Sequence, residues 1–203
     1  MRKLYEKNEL TFAIVWIVIY CVLQSLANPL NEKIGVEYSA SAIFSILQSV
    51  ILLVFIRKNN LLKRYGLCKS PISASRFLFY IPLIILATRN FWNGAAFNLN
   101  LAGTVCYIAC MLWVGFLEEV IFRGLLFKAI AKDNVKTAII ISSVTFGLGH
   151  LLNLVNGSGA GIAENLLQVT GAIAIGFLFV ILYYRGDSLF PCIITHSAIN
   201  ITS

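Results

Sequence analysis

Charge is scarce in this sequence, and histidine scarcer still. Asp, Glu, Lys and Arg make up 12% of the 203 residues, while 59% are hydrophobic and the mean hydropathy is +0.83. An ordinary soluble domain carries roughly 25% charged residues, so a water-soluble globule is excluded. The alternation over about ten residues that marks an outer-membrane β-strand is missing, as is any internal repeat. The five cysteines are odd in number and scattered (Cys21, Cys68, Cys106, Cys110 and Cys192), with no CxxC pair. Neither a disulfide framework nor a structural zinc site is encoded, and no HExxH sequence occurs.

Acidic residues are also few, nine against sixteen Lys and Arg, for a net charge of +7. The surplus does not form a nucleic-acid face, because most of it lies in short connections between apolar runs. That is the pattern of cytoplasmic loops under the positive-inside rule. The expected partner is the lipid bilayer, and no nucleic acid.

What the chain has in abundance is apolar runs approaching the ~20 residues needed to cross a bilayer as helix. They fall at about 10–27, 38–56, 77–97, 101–127, 137–155, 162–184 and 188–203. The expected fold class is all-α, a polytopic transmembrane bundle of about seven spans forming one domain over 1–203, with a polar intramembrane site. The first run exceeds the ~7–15 residues of a signal-peptide core, so an uncleaved span is favoured despite the small residues at Ser25-Leu26-Ala27. The third is interrupted by Pro82 and Arg89-Asn90 and is expected to be kinked, tilted or partly interfacial. Asn156-Gly157-Ser158-Gly159-Ala160-Gly161 reads as a flexible polar loop. In the sixth, Ala172 and Gly176 have the small-xxx-small spacing of close helix approach. Of the sixteen Lys and Arg, only Lys33 and Arg89 fall on one side of this arrangement and Arg123 within a span; the rest share the other side. The multi-pass chain is therefore predicted to sit in the cell membrane with its amino terminus cytoplasmic and its carboxyl terminus extracytoplasmic.

Glu118, Glu119 and Arg123 interrupt the fourth run, where each ionised group facing lipid would cost roughly 2.5–3.5 kcal/mol. Helix rise puts Glu118 roughly 14 Å from the cytoplasmic end of its span, His150 roughly 20 Å, His196 roughly 12 Å and Asn200 roughly 18 Å. All four lie inside the hydrocarbon, and His150 and His196 are the only histidines of the chain. Glu119 and Arg123 are four apart, so Arg123 is expected to pair with Glu119 as support while Glu118 points toward the site. Phe146 and His150, and His196 and Asn200, share the same spacing. Phe146 is expected to pack beneath His150, and Glu164 to be interfacial. A carboxylate, two imidazoles and a carboxamide would converge from three helices.

These residues resemble the motifs of the intramembrane proteases that include CAAX prenyl endopeptidases of the Rce1 type and the bacterial Abi proteins, the CPBP family. EExxxR is matched by Glu118-Glu119-Val120-Ile121-Phe122-Arg123, FxxxH by Phe146-Gly147-Leu148-Gly149-His150, and HxxxN by His196-Ser197-Ala198-Ile199-Asn200. The resemblance covers about 101–200. It implies an endopeptidase in which Glu118 and His150 activate a water, His196 and Asn200 stabilise the oxyanion, and Glu119 and Arg123 shape the site. Chemically, Glu118 can take a proton from water and pass it to the leaving amine.

No cofactor is the favoured expectation. The alternative is Zn²⁺ held by His150, His196 and Glu118, which would leave Glu118 poorly placed to act as base. The substrate is a peptide or a membrane protein; the resemblance is compatible with a prenylated CAAX protein, a signalling peptide, a bacteriocin precursor or a membrane-protein fragment. The chain stops three residues after Asn200, where many members continue, and a homo-oligomer is one way to close the bundle. Two other functions fit intramembrane polar groups: a non-proteolytic immunity or interaction protein, and a small proton-coupled transporter. The transporter is disfavoured by the lack of an inverted repeat.

Overall fold

A computed structural model describes residues 1–73, 75, 80–94, 98–152 and 161–203. The regular elements among these residues are all helices, with no strand. Helix α1 (Arg2–Lys7) leads into α2 (Glu9–Ile34) through Asn8, whose extended backbone and side chain start the new helix by accepting from Thr11 N at 2.9 Å. Gly35 ends α2 at φ +75°, a left-handed conformation that favours glycine. The return helix α3 (Ser39–Lys58) carries an internal polar face of Ser41, Ser45, Gln48 and Ser49, all buried. Its hydroxyls join neighbouring helices: Gln24 donates to Ser45 at 2.9 Å, Asn31 to Ser41 at 2.9 Å, and Ser49 to the Trp113 carbonyl at 3.5 Å. Large apolar residues such as Val18, Val22, Leu47 and Ile51 lie exposed on the outer faces instead. That inversion suits a bilayer, where helices associate through small and hydrogen-bonding side chains.

Among the described residues, four helices are long and apolar enough to cross a membrane: Glu9–Ile34, Ser39–Lys58, Leu101–Ala131 and Ile162–Gly186. The third apolar run departs from a full span. Its described part is a nine-residue helix, α4 (Tyr80–Thr88), running into a 3₁₀ turn over Arg89–Asn93; residues 76–79 and 95–97 of that run lie outside the described residues. The fourth run is longer than predicted and not uniformly α-helical. It consists of α5 (Leu101–Glu118), a π-helical segment (Glu119–Phe127) and α6 (Lys128–Ala131). Every residue of the π segment is buried, and it forms the centre of the main apolar core.

Helix α7 (Val135–Gly149) begins at Asn134, which accepts from Thr137 N at 3.0 Å, and ends sooner than the sequence predicts. His150 terminates the helix rather than lying within a longer one. The polar loop predicted after it falls largely in 153–160, outside the described residues. Helix α8 (Ile162–Gly186) starts at Gly161, whose N–H donates to Glu164 at 3.0 Å, and packs closely on α7. The small-residue prediction explains that packing. A Cβ on Gly176 would stand 3.1 Å from the Ser143 backbone, and one on Gly147 would stand 2.9 Å from Ile173 N. After Asp187, helix α9 (Phe190–Ile201) packs against α4 and α5.

The two ends of the bundle differ in chemistry. At one, Glu9 holds Arg64 at 2.7 Å and Lys132 at 2.8 Å, and Lys128 meets Asp187 at 3.4 Å. Segments the sequence assigns to one side of the membrane are thus tied together at one end. At the other, Tyr38 packs on Tyr107 with ring centroids 4.9 Å apart, Tyr107 donates to the Asn200 carbonyl at 2.5 Å, and Asn90 donates to Thr202 at 3.1 Å.

Candidate active site

Glu118 is the last residue of α5, and the π segment begins at the next position. A π-helix closes i→i+5 hydrogen bonds and so widens the turn, a rare feature that occurs most often at functional sites. Two adjacent carboxylates on a helix point in different directions, yet here both reach the same imidazole. His196, from α9, inserts between them: Nδ1 lies 2.8 Å from Glu119 Oε1 and Nε2 lies 3.3 Å from Glu118 Oε2. Burial divides the pair. Glu119 is fully buried, whereas Glu118 retains 9% exposure and lines a cavity.

Glu119 does pair with Arg123, as its spacing predicts, with Nη1 at 3.0 Å. The prediction was incomplete, because the same Oε1 also faces His196. An ionised carboxylate can only accept, so this contact requires the hydrogen on Nδ1 and turns Nε2 toward Glu118. Arg123 is itself fully buried, its guanidinium carbon 4.0 Å from the centre of the Phe146 ring and 5.6 Å from that of Phe179. Cation–π contact with two rings compensates part of its lost hydration. Phe146 also meets His150 and His196 edge-on, at centroid separations of 5.5 and 5.6 Å. It therefore packs against both imidazoles and the guanidinium, more than its predicted place beneath His150.

The cavity, of about 320 Å³, is lined by Glu118, His150, His196 and Asn200 together. His150 and Asn200 reach it from different helix ends, and neither side chain has a hydrogen-bond partner among the described residues. The backbone of Asn200 is fixed by Tyr107, leaving the carboxamide free at the cavity wall. Glu164 is not among the residues lining this cavity; its carboxylate serves the start of α8.

Sequence reasoning missed Tyr20. Its hydroxyl, from the middle of α2, donates to Glu118 Oε1 at 2.5 Å, so the carboxylate is held by Tyr20 on one oxygen and faces His196 with the other. The signal was a polar stripe, since Tyr20, Gln24 and Asn28 recur every four residues of the first span and all three line the cavity.

Among the described residues no group of three His, Cys, Asp or Glu side chains is placed to hold a metal ion.

The family model described as type II CAAX prenyl endopeptidase Rce1-like matches residues 100–202, just over half of the chain. The match spans α5 through α9 and includes all four residues at the cavity wall, but not Tyr20. No curated protein and no solved structure matches the chain.

Proposed function

The chain belongs to the type II CAAX prenyl endopeptidase Rce1-like family, and from that premise we propose that it hydrolyses a peptide bond at the cavity between Glu118 and His150. The observation that carries this reading is the contrast within the site. Tyr20 donates to one oxygen of Glu118 and the other faces His196, while the side chains of His150 and Asn200 face the same cavity with no hydrogen-bond partner among the described residues. A water between Glu118 and His150 would be oriented by both. Glu118 takes a proton from that water as its oxygen attacks the scissile carbonyl. With His196 carrying a hydrogen on Nε2 as well as on Nδ1, that Nε2–H and the Asn200 carboxamide donate to the developing oxyanion, and the proton on Glu118 passes to the leaving amine as the C–N bond breaks. Glu119 and Arg123 hold His196 in position and touch no reacting atom.

The protein is a membrane protein, by its family and by its apolar helices. We assign the end bearing Glu9, Arg64 and Lys132 to the cytoplasm, and with it the amino terminus. The cavity lining runs from Glu118 toward Asn28, Tyr38 and Ser203 at the opposite end. A substrate of this site is accordingly a peptide or a membrane-protein segment presented from the extracytoplasmic half of the bilayer.

Comparative peptidomics of membranes carrying wild type, Glu118→Gln or His150→Ala tests the reading. Defined peptides should disappear in both variants while chain abundance is unchanged. A biological activity that survives both substitutions would instead identify an interaction protein, and solute flux without peptide release would identify a transporter.

A further inference from the structure

The bundle contains a second cavity, larger than the candidate active site and at the opposite end. It measures about 930 Å³ and is lined by Lys63, Arg64, Lys69, Lys128 and Lys132, with Asp187 as its only acidic lining residue. These cations come from three places in the chain: the connection after α3, helix α6 and the residue that follows it. Two carboxylates engage three of the cations, Glu9 with Arg64 and Lys132, and Asp187 with Lys128. Lys63 and Lys69 have no carboxylate partner among the described residues. The cavity therefore keeps a surplus of positive charge that the protein does not neutralise.

The remaining lining is apolar. Ala131, Val135 and Pro71 form the wall beside the cations, with the buried Phe127 behind them, and Tyr184, half exposed, stands at the end of α8. A site for a free inorganic anion would need cations alone. A cationic rim against an apolar wall, at the level where the helices end, matches an amphiphile with an anionic head. Tyr184 occupies the position of an interfacial aromatic. Basic pockets between spanning helices on the cytoplasmic side are suited to acidic lipid headgroups.

We propose that this cavity binds an anionic phospholipid, its phosphate at Lys63 and Lys69 and the upper part of its acyl chains against Ala131 and Val135. The bound lipid neutralises the uncompensated cations and bridges the connection after α3 to α6, fastening the cytoplasmic end of the bundle.

The test uses the purified full chain in a neutral detergent, titrated separately with phosphatidylglycerol, phosphatidylcholine and inorganic phosphate. Bound lipid is counted by native mass spectrometry, and the thermal midpoint is followed in parallel. Phosphatidylglycerol should be retained and should raise the midpoint; phosphatidylcholine and phosphate should do neither. The Lys63→Gln/Lys69→Gln variant should bind phosphatidylglycerol roughly thirtyfold more weakly, at about a fivefold step per cation. Lys3→Gln/Lys7→Gln, which removes the same charge from α1, should bind as wild type does. Equal loss in both double variants would reduce the effect to diffuse surface charge. Equal stabilisation by phosphate would replace the lipid with a small-anion site, and unchanged binding by Lys63→Gln/Lys69→Gln would remove the cavity from consideration.

Discussion

At the scale of single residues, the two adjacent glutamates differ in what surrounds them, and the proposed division between reactivity and support rests on that difference. Glu119 and Arg123 are fully buried and lean on each other and on aromatic rings. Glu119→Gln leaves a buried guanidinium without its counter-charge, a loss of roughly 3–5 kcal/mol in stability. Tyr20→Phe removes one hydrogen bond to the partly exposed Glu118 and nothing from the core. Its thermal midpoint should match wild type while kcat for peptide release falls roughly ten- to hundredfold, the worth of a hydrogen bond to a charged group, with KM unchanged. Measuring both variants by melting and by kinetics checks the division; a Tyr20→Phe enzyme with full kcat would sever Tyr20 from the chemistry. Glu118, His150, His196 and Asn200 were legible in the sequence because rare polar groups in apolar runs, at matching helical depth, can be counted. Tyr20 was not, because its partner lies 98 positions away and a tyrosine in a membrane span is unremarkable by itself.

At the scale of elements, helical spans and their order could be read from hydropathy, but irregularities could not. The π segment starts between Glu118 and Glu119, where the sequence continues as a normal apolar helix. It is held from outside: the Ser142 hydroxyl, on α7, donates to the Phe122 carbonyl at 2.9 Å. Such a tertiary bond leaves no local pattern, and the early end of α7 at His150 likewise has no proline or left-handed glycine to announce it. Close helix approach is another tertiary feature. A Cβ on Gly115 would stand 2.9 Å from Ser197 N, next to His196, so α5 and α9 meet backbone to backbone immediately beside the site. Gly115→Ala should force these helices apart, costing roughly 1–3 kcal/mol and displacing His196 from the glutamates. Gly171→Ala is the matched control, since nothing among the described residues lies within 4 Å of its Cβ and alanine is the better helix former by about 1 kcal/mol. Thermal midpoints and peptide release should therefore fall together for Gly115→Ala and stay level or rise for Gly171→Ala. Parallel behaviour of the two would disprove the close-approach account.

At the scale of the molecule, the proposed orientation rests on the distribution of charge and the direction of the cavity. Ion pairs gather the amino-terminal segment, the connection after α3, α6 and the end of α8 at one end, whereas Tyr38, Tyr107 and Ser203 meet at the other. If the basic end is cytoplasmic, Ser203 and the polar lining that descends to Glu118 belong to the outer half of the membrane. A reporter active only outside the cytoplasm, fused after Ser203, should then be active, and the same reporter inserted in the connection after α3 should be silent. A reporter that works only in the cytoplasm should give the reverse pair. Moving Lys and Arg from that connection to the Lys33 side should weaken or invert the pattern, because positive charge in short loops sets orientation. The reversed reporter pattern in the unaltered chain would turn the cavity toward the cytoplasm, and with it the side from which a scissile bond could reach Glu118.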